Sequence, residues 1–330
     1  MGIQKQLTRL LRILLSLGLG VLIIWLTVRK LTPDDRAKIL AAWENANFLV
    51  LLAAPGIGIL SNYFRSERWR MLLTPVGKTP SAGNTFHAVS VMYAANLLFP
   101  RLGEVTRCTL LWKTENIPVE RSIGTMVTER VLDVLSIALV GALLFFIEHD
   151  RMGGLFARTF GRQSNPGSVW ILPVAGLLGA LLLYVLLRAF RDRPAVVRIL
   201  SFLRGMKEGL MSIRRVENKP LLVFHTVMIW VCYWLMIQTS FYALPETAGL
   251  SVAAGWSCMF FGGIAMAATQ GGVGAYPLAI REMLLLFAVS APVGYALGWM
   301  VWSVQTLTVL IGGGISLIWL NLTSAKNRAV

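Results

Sequence analysis

The chain has 330 residues, of which 56% are hydrophobic and only 14% are charged. Soluble globular domains carry about 25% charged residues, so this composition leaves too few charges to cover a water-facing surface and excludes an ordinary soluble protein. The net charge is +15, but no helix-turn-helix, zinc-finger or RNA-binding signature accompanies it. Such a surplus of Lys and Arg is typical of the cytoplasmic loops of membrane proteins, where it attracts anionic head groups. Nucleic acid is not an expected partner.

Apolar segments that approach or exceed the roughly 20 residues needed to cross a bilayer recur along the chain. Six of them look like complete spans, over residues 10–28, 48–64, 121–147, 169–188, 221–244 and 293–320. Two further apolar regions, 84–115 and 251–290, are long but contain proline and glycine in the middle, which break helices. Each of these two regions is predicted to form a pair of half-helices.

The loops then set the orientation. The segment 188–220 is the densest in Lys and Arg, so the positive-inside rule places it in the cytoplasm together with both termini. The other loops fit only if each broken region returns to the side from which it entered. The chain (1–330) is then a single polytopic, all-α membrane domain with six full transmembrane helices and two broken re-entrant hairpins. Its halves, 48–147 and 221–320, form an inverted repeat of the kind found in transporters. The alternative is ten spans.

The first break carries polar and charged residues inside an apolar region. Irregular backbone at membrane depth occurs only where protein or a wet cavity supplies hydrogen bonds. Six residues here are therefore candidates for a substrate site: Asn96, Pro100, Arg101, Gly103, Glu104 and Arg107. Glu104 and Arg107 are three residues apart and could pair on one helix face, which leaves Arg101 for an anionic phosphate. The alternative is a surface loop with solvated charges.

A second cluster, Glu129, Arg130 and Asp133, lies within the predicted span 121–147. Three charges at the centre of a span cost on the order of 8–10 kcal/mol, whereas its Leu, Ile, Phe and Val residues return about 4–8 kcal/mol. We therefore expect these side chains to be paired or hydrated inside the protein. Glu129 and Asp133 share a helix face, and Arg130 points about 100° away. Structural pairing without a transport role is the alternative.

The second break contains three glycines, Gly271, Gly272 and Gly274. Glycine lets a backbone approach a ligand closely, and the N-terminus of the following half-helix attracts anions. These glycines are candidates for the opposite wall of a substrate path. Tight helix packing is the alternative.

Together these motifs resemble the lysylphosphatidylglycerol synthase transmembrane (flippase-like) family. The resemblance rests on the polar block from Asn96 to Arg107, the E-R-x-x-D motif that starts at Glu129 and the late Gly-Gly-x-Gly, and it covers about residues 10–320. It implies a multi-pass protein of the bacterial or archaeal plasma membrane. In bifunctional members this region is linked to translocation of an aminoacylated lipid, which a separate soluble C-terminal domain makes.

The chain departs from the family pattern in two places. It stops near Lys326, so the resemblance implies no aminoacyl-transferase domain and no synthase activity. The late family motif often reads Pro-Gly-Gly-x-Gly followed closely by Glu, whereas here Gln270 stands at the proline position and Tyr276 near the expected Glu. Both residues are candidate substrate contacts, and the substrate of the best-known members is not carried over.

The sequence therefore predicts a flippase-like transporter for an anionic or lipid-linked substrate, with membrane lipids as partners. Arg101 and Arg107 would bind the head group, and Glu104, Glu129 and Asp133 would balance or relay charge. No catalytic motif, metal site or cofactor site is recognised in the sequence. Two alternatives remain: an integral-membrane lipid-modifying enzyme, and a non-transporting scaffold that works with lipid-biosynthesis enzymes.

Overall fold

The computed structural model of the protein describes residues 18–99, 102–148, 197 and 213–326. Within these ranges the regular elements are helices, and no strand occurs. The helices are α1 Gly18–Val28, α2 Pro33–Glu44, α3 Phe48–Leu51, α4 Ala53–Leu73, α5 Ala82–Leu98, α6 Leu102–Glu115, α7 Val119–Ile147, α8 Lys219–Ser240, α9 Val252–Ala268, α10 Ala275–Leu285 and α11 Ala291–Lys326. Short 3₁₀ turns lie at Thr74–Val76, Ile213–Arg215, Phe241–Ala243 and Gln270–Gly272.

Four helical stretches are long and apolar enough to cross a membrane: Phe48–Leu73, Val119–Ile147, Lys219–Ala243 and Ala291–Thr323. Each overlaps one of the predicted spans, so the prediction of an all-α, multi-pass membrane protein is confirmed. The predicted span 169–188 lies outside the described residues, and only the second half of 10–28 lies within them, as α1. Four of the six predicted spans therefore have a matching long helix.

Both predicted breaks are present in the structure. The region 84–115 is two helices, α5 and α6, and the region 251–290 is two helices, α9 and α10, joined by the 3₁₀ turn Gln270–Gly272. Ser81 caps the start of α5 by accepting from Asn84 N, and Ser251 caps the start of α9 by accepting from Ala254 N. The first half-helix of each pair therefore has its own N-terminal cap.

The start of α5 and the end of α6 are fastened to each other by one carboxylate. Glu115 Oε1 accepts from Asn84 Nδ2 at 2.8 Å and from Ser81 N at 3.1 Å, while Glu115 Oε2 lies 3.2 Å from Lys78 Nζ. Desolvation raises the pKa of Glu115, but these hydrogen bonds outweigh it and hold the pKa below its ordinary value. The pair α5–α6 is therefore a hairpin in which the start of α5 lies beside the end of α6.

The chain forms two compact units. The first joins residues 1–123 to residues 218–330, and the second is 124–217. In the first unit α4 packs against α8 and α5, and α11 packs against α5 and α10. The two helices of each broken region also pack against each other, α5 against α6 and α9 against α10. Gly313 brings α11 against α5, because a Cβ there would overlap that of Ala94. The predicted repeat of halves 48–147 and 221–320 stays a prediction.

Candidate functional site

The two broken regions meet in the first unit, and one side chain links them. Gln270 Nε2 donates to the carbonyl oxygens of Asn96 at 2.9 Å and Leu97 at 3.0 Å. These carbonyls belong to the last turn of α5, where the helix has no amide of its own to offer them. Gln270 is itself 6% exposed. Asn96 and Gln270 are both predicted substrate-site residues, and the structure brings them together.

Asn96 also holds its own break closed. Its Oδ1 accepts from Gly103 N at 2.9 Å, so the side chain spans from the end of α5 to the first turn of α6. Gly103 is buried, and a Cβ at this position would overlap the carbonyl oxygen of Met92 and lie 2.8 Å from Asn96 Cγ. Glycine is therefore required by the close approach of the two half-helices. Pro100 and Arg101 lie outside the described residues.

The glycine turn of the second break has a left-handed backbone. The φ angles of Gly271, Gly272 and Gly274 are +60°, +73° and +71°, a region that residues with a Cβ adopt at a cost. Leu97 Cδ1 occupies the space where a Cβ of Gly271 would lie, at 2.6 Å from that position. Trp302 Nε1 of α11 donates to Gly271 O at 2.7 Å. The glycines here serve both packing and the approach of the two breaks.

The N-terminal helix covers this turn by backbone-to-backbone contact. A Cβ on Gly20 of α1 would lie 2.9 Å from Val273 O, and a Cβ on Gly274 would lie 2.7 Å from Gly20 O. Next along the chain, Tyr276 is buried at 6% exposure, with its ring against Gly262 of α9. Tyr276 thus packs inside the α9–α10 hairpin.

Arg107 and Glu104 differ in their environments. Arg107 is fully buried, and its Cζ lies 4.2 Å from the centroid of the Trp69 ring of α4, a cation–π contact. Glu104 is partly buried in the first turn of α6. The face of an indole ring attracts a guanidinium, so Trp69 helps to hold the buried Arg107 side chain in place.

Two further buried arginines lie on α4 and were not among the predicted site residues. Arg65 and Arg68 of α4 are 6% and 0% exposed. Arg65 Nη2 donates to the Tyr233 hydroxyl of α8 at 3.2 Å, and that hydroxyl lies 3.2 Å from the Tyr93 hydroxyl of α5. Both arginines lie just beyond the predicted span 48–64, so the sequence pattern indicated a flank of the span rather than a site. Their spacing of three residues, with Trp69 four after Arg65, places them on one helix face and was the available signal.

The second unit contains the other predicted charges, on α7. Glu129 is fully buried, which agrees with the expectation that its charge is kept from lipid. Arg130 is exposed over 46% of its side chain and pairs with Asp133, with Arg130 Nη1 3.7 Å from Asp133 Oδ2. The burial of Glu129 and the exposure of Arg130 follow from the 100° between successive residues of a helix.

The described residues contain no group of three or more His, Cys, Asp and Glu that could hold a metal ion. What the first unit offers is a set of binding groups: buried guanidiniums, tyrosine hydroxyls, an amide and helix-end carbonyls. Guanidiniums suit phosphate and carboxylate, while an amide and carbonyls suit hydroxyl groups.

Residues 12–313 match the family described as the lysylphosphatidylglycerol synthase TM region. The chain therefore belongs to that family of membrane proteins, as the sequence motifs indicated. A stretch of 144 residues is 30% identical to a protein called glycosyltransferase AglD from Haloferax volcanii, and covers 43% of this chain. The chain spans about a quarter of that relative, since the match covers 23% of it. No solved structure matches the chain.

Proposed function

We propose that this protein is a flippase-like lipid transporter, which moves an anionic or lipid-linked substrate between the leaflets along a polar path at the two broken regions. The observation that carries the proposal is the hydrogen bonding of Gln270 to the carbonyls of Asn96 and Leu97. Interrupted helices that meet at the interface of inverted repeats are the usual place of a transporter's substrate site. Membership of a lipid-related membrane family supports the same class of function.

Helix lengths support the re-entrant arrangement. α6 has 14 residues and α10 has 11, which correspond to about 21 Å and 16 Å at the rise of an α-helix. The hydrocarbon core is about 30 Å thick, so both half-helices are short for a full crossing. With re-entrant hairpins, the basic segment 188–220 and both termini lie in the cytoplasm. The protein would then belong to the cell membrane, with two hairpins dipping in from opposite sides.

The buried cations favour an anionic head group. Arg65, Arg68 and Arg107 come from two adjacent elements of the same unit and are at most 6% exposed. Guanidiniums bind phosphate through charge-assisted and often bidentate hydrogen bonds. In this proposal Arg107 and Arg101 bind the head group, and Glu104 balances its charge. A part for Glu129 and Asp133 in balancing or relaying charge stays a prediction from the sequence. No cofactor takes part.

One observation favours a second candidate, a lipid-modifying membrane enzyme: the partial relative is named a glycosyltransferase. The match covers less than a quarter of that relative, so the catalytic part of the relative need not be shared. In a third arrangement the protein is a scaffold for lipid-biosynthesis enzymes. Turnover of a labelled lipid by the purified protein would favour the enzyme, and a stable co-purifying enzyme would favour the scaffold.

A flip assay in proteoliposomes tests the transporter. Fluorescent phosphatidylglycerol is reconstituted in both leaflets, and a membrane-impermeant quencher reports the fraction that crosses. We expect the wild-type protein to accelerate crossing over empty vesicles and the Arg101→Ala, Glu129→Ala double variant to lose that acceleration. Lys38→Ala is the matched control, since Lys38 is exposed on α2 and pairs only with its neighbour Asp34 in the described contacts. Undiminished flipping by the double variant would reject the proposed site.

A further inference from the structure

Gln270 has an unusual role for a side chain at the end of another helix. α5 spans Ala82–Leu98, and its last turn leaves carbonyls without intrahelical partners. Gln270 donates to two of them, from a position 174 residues later in the chain. It therefore caps α5 from a different broken region. The second break supplies the donor, Gln270 Nε2, and the first break supplies the two acceptors, the carbonyls of Asn96 and Leu97.

Two further acceptors at the closed junction already have partners. Asn96 Oδ1 already accepts from Gly103 N, and Gly271 O accepts from Trp302 Nε1. Leu97 fills the remaining space against Gly271. A head group that passed between the breaks would therefore have to displace Gln270 from the carbonyls of Asn96 and Leu97. When these hydrogen bonds open, the two carbonyls of α5 and the amide of Gln270 need new partners at once, because hydrocarbon offers none.

We propose that Gln270 is the latch of the translocation path, and that a head group with alcohol hydroxyls replaces it at the carbonyls of Asn96 and Leu97. A hydroxyl both donates and accepts, so one polyol can donate to the α5 carbonyls and accept from the freed Gln270 amide. A phosphate ester without hydroxyls can satisfy only the amide. The latch itself stands on the hydrogen bonds, and the choice of head group rests on the proposed function.

The latch is tested by turning it into a titratable group. Gln270→Glu places a carboxyl opposite two carbonyl oxygens. The protonated carboxyl can donate one hydrogen bond and keep the junction closed, whereas the carboxylate can only accept and is repelled. The closed junction therefore raises the pKa of the introduced carboxyl, so the junction closes at low pH and opens at high pH. Wild-type Gln270 has no charge to change over the same range.

The readout is Leu97→Cys, which becomes accessible to a water-soluble thiol reagent when the junction opens. The native cysteines, Cys108, Cys232 and Cys258, are all buried. Labelling of Leu97→Cys in the Gln270→Glu background is divided at each pH by its labelling with Gln270 intact, which removes the pH dependence of the thiol. We expect this ratio to rise at least about fivefold from low to high pH, the size of one ordinary hydrogen bond. A ratio that stays constant would overturn the latch.

Gln238→Glu is the matched control, measured on the same Leu97→Cys reporter. Gln238 of α8 also donates its amide to a backbone carbonyl, that of Leu250 at 3.4 Å, but this bond does not join the two breaks. A carboxyl at position 238 is likewise placed against a backbone carbonyl oxygen, but it does not touch the junction. We expect no pH-dependent change at Leu97→Cys. An equal change in both variants would mean general loosening of the fold and would also overturn the latch.

The head-group inference is tested with two phosphodiesters of equal charge. Phosphatidylglycerol carries two alcohol hydroxyls and phosphatidylmethanol carries none. In proteoliposomes of the wild-type protein we expect phosphatidylglycerol to cross at least about fivefold faster. Equal rates would overturn the hydroxyl requirement. If neither lipid crosses, the transport proposal fails, while the labelling ratio still decides the latch.

Discussion

Replacing Gly103 by alanine tests the contact that closes the first break. The added Cβ overlaps the carbonyl oxygen of Met92 and lies 2.8 Å from Asn96 Cγ. A backbone carbonyl cannot rotate aside as a side chain can, so α6 must move away from α5. Overpacking of this kind costs about 1–3 kcal/mol, and loss of the bond from Gly103 N to Asn96 Oδ1 adds about 1 kcal/mol. We expect the free energy of unfolding to fall by about 2–4 kcal/mol.

Gly83→Ala is the control for Gly103→Ala. Gly83 lies in the first turn of α5, and a Cβ there meets nothing within 4 Å. Alanine is favoured over glycine in a helix by up to about 1 kcal/mol, so this variant should be as stable as the wild type or slightly more stable. Both variants are compared by equilibrium unfolding in mixed micelles, followed by intrinsic fluorescence. Equal stability of the two variants would refute the close approach of α5 and α6.

Three further substitutions test other contacts of the first unit by the same unfolding measurement. Hydrogen bonds lower the pKa of Glu115 in the folded protein. The contribution of Glu115 to the free energy of unfolding is therefore present above the ordinary pKa near 4.5 and is lost as the pH falls through the lower folded pKa. Glu115→Gln should weaken the fall of the free energy of unfolding at acid pH, and an unchanged fall would contradict this. Tyr233→Phe removes one acceptor of Arg65 and should cost about 1.5–3 kcal/mol; an unchanged free energy of unfolding would contradict a stabilising role for this hydrogen bond. Trp302→Phe removes the donor to Gly271 O and should cost about 1 kcal/mol. Trp302→Tyr keeps a hydroxyl donor and should cost less, so an equal cost of the two variants would point to lost packing instead.

The sequence predicted both breaks well, because their causes are local. Gly271, Gly272 and Gly274 adopt backbone angles that favour glycine, and proline ends the preceding helix pattern near residue 100. A local sequence pattern does not show which residue of a distant helix will be the hydrogen-bond partner of a given side chain. Nothing around Gln270 indicates that its amide reaches Asn96 O, since only packing of α5 against the second break brings them within reach.

The buried arginines show why composition misleads at the end of a span. A run of Arg65, Arg68 and Arg70 after an apolar segment is typical of a cytoplasmic flank. In the structure α4 continues as a helix to Leu73, and neighbouring helices bury two of these side chains. Hydropathy measures the average character of a window, whereas burial depends on which face of the helix meets a neighbour. The sequence therefore identified the membrane class and the breaks, and missed part of the site.

The contact of Gly20 with the turn at Val273 and Gly274 fixes how the first helix is seated. Because no Cβ fits on either side, α1 cannot roll about its axis without driving a branched neighbour into the turn. A shortened protein that begins after Val28 would lose the contact of Gly20 with Val273 O and so uncover this turn. Detergent or a second protein molecule would then have to cover the turn. We therefore expect removal of α1 to change the extraction of the protein from the membrane more than it changes the helix content.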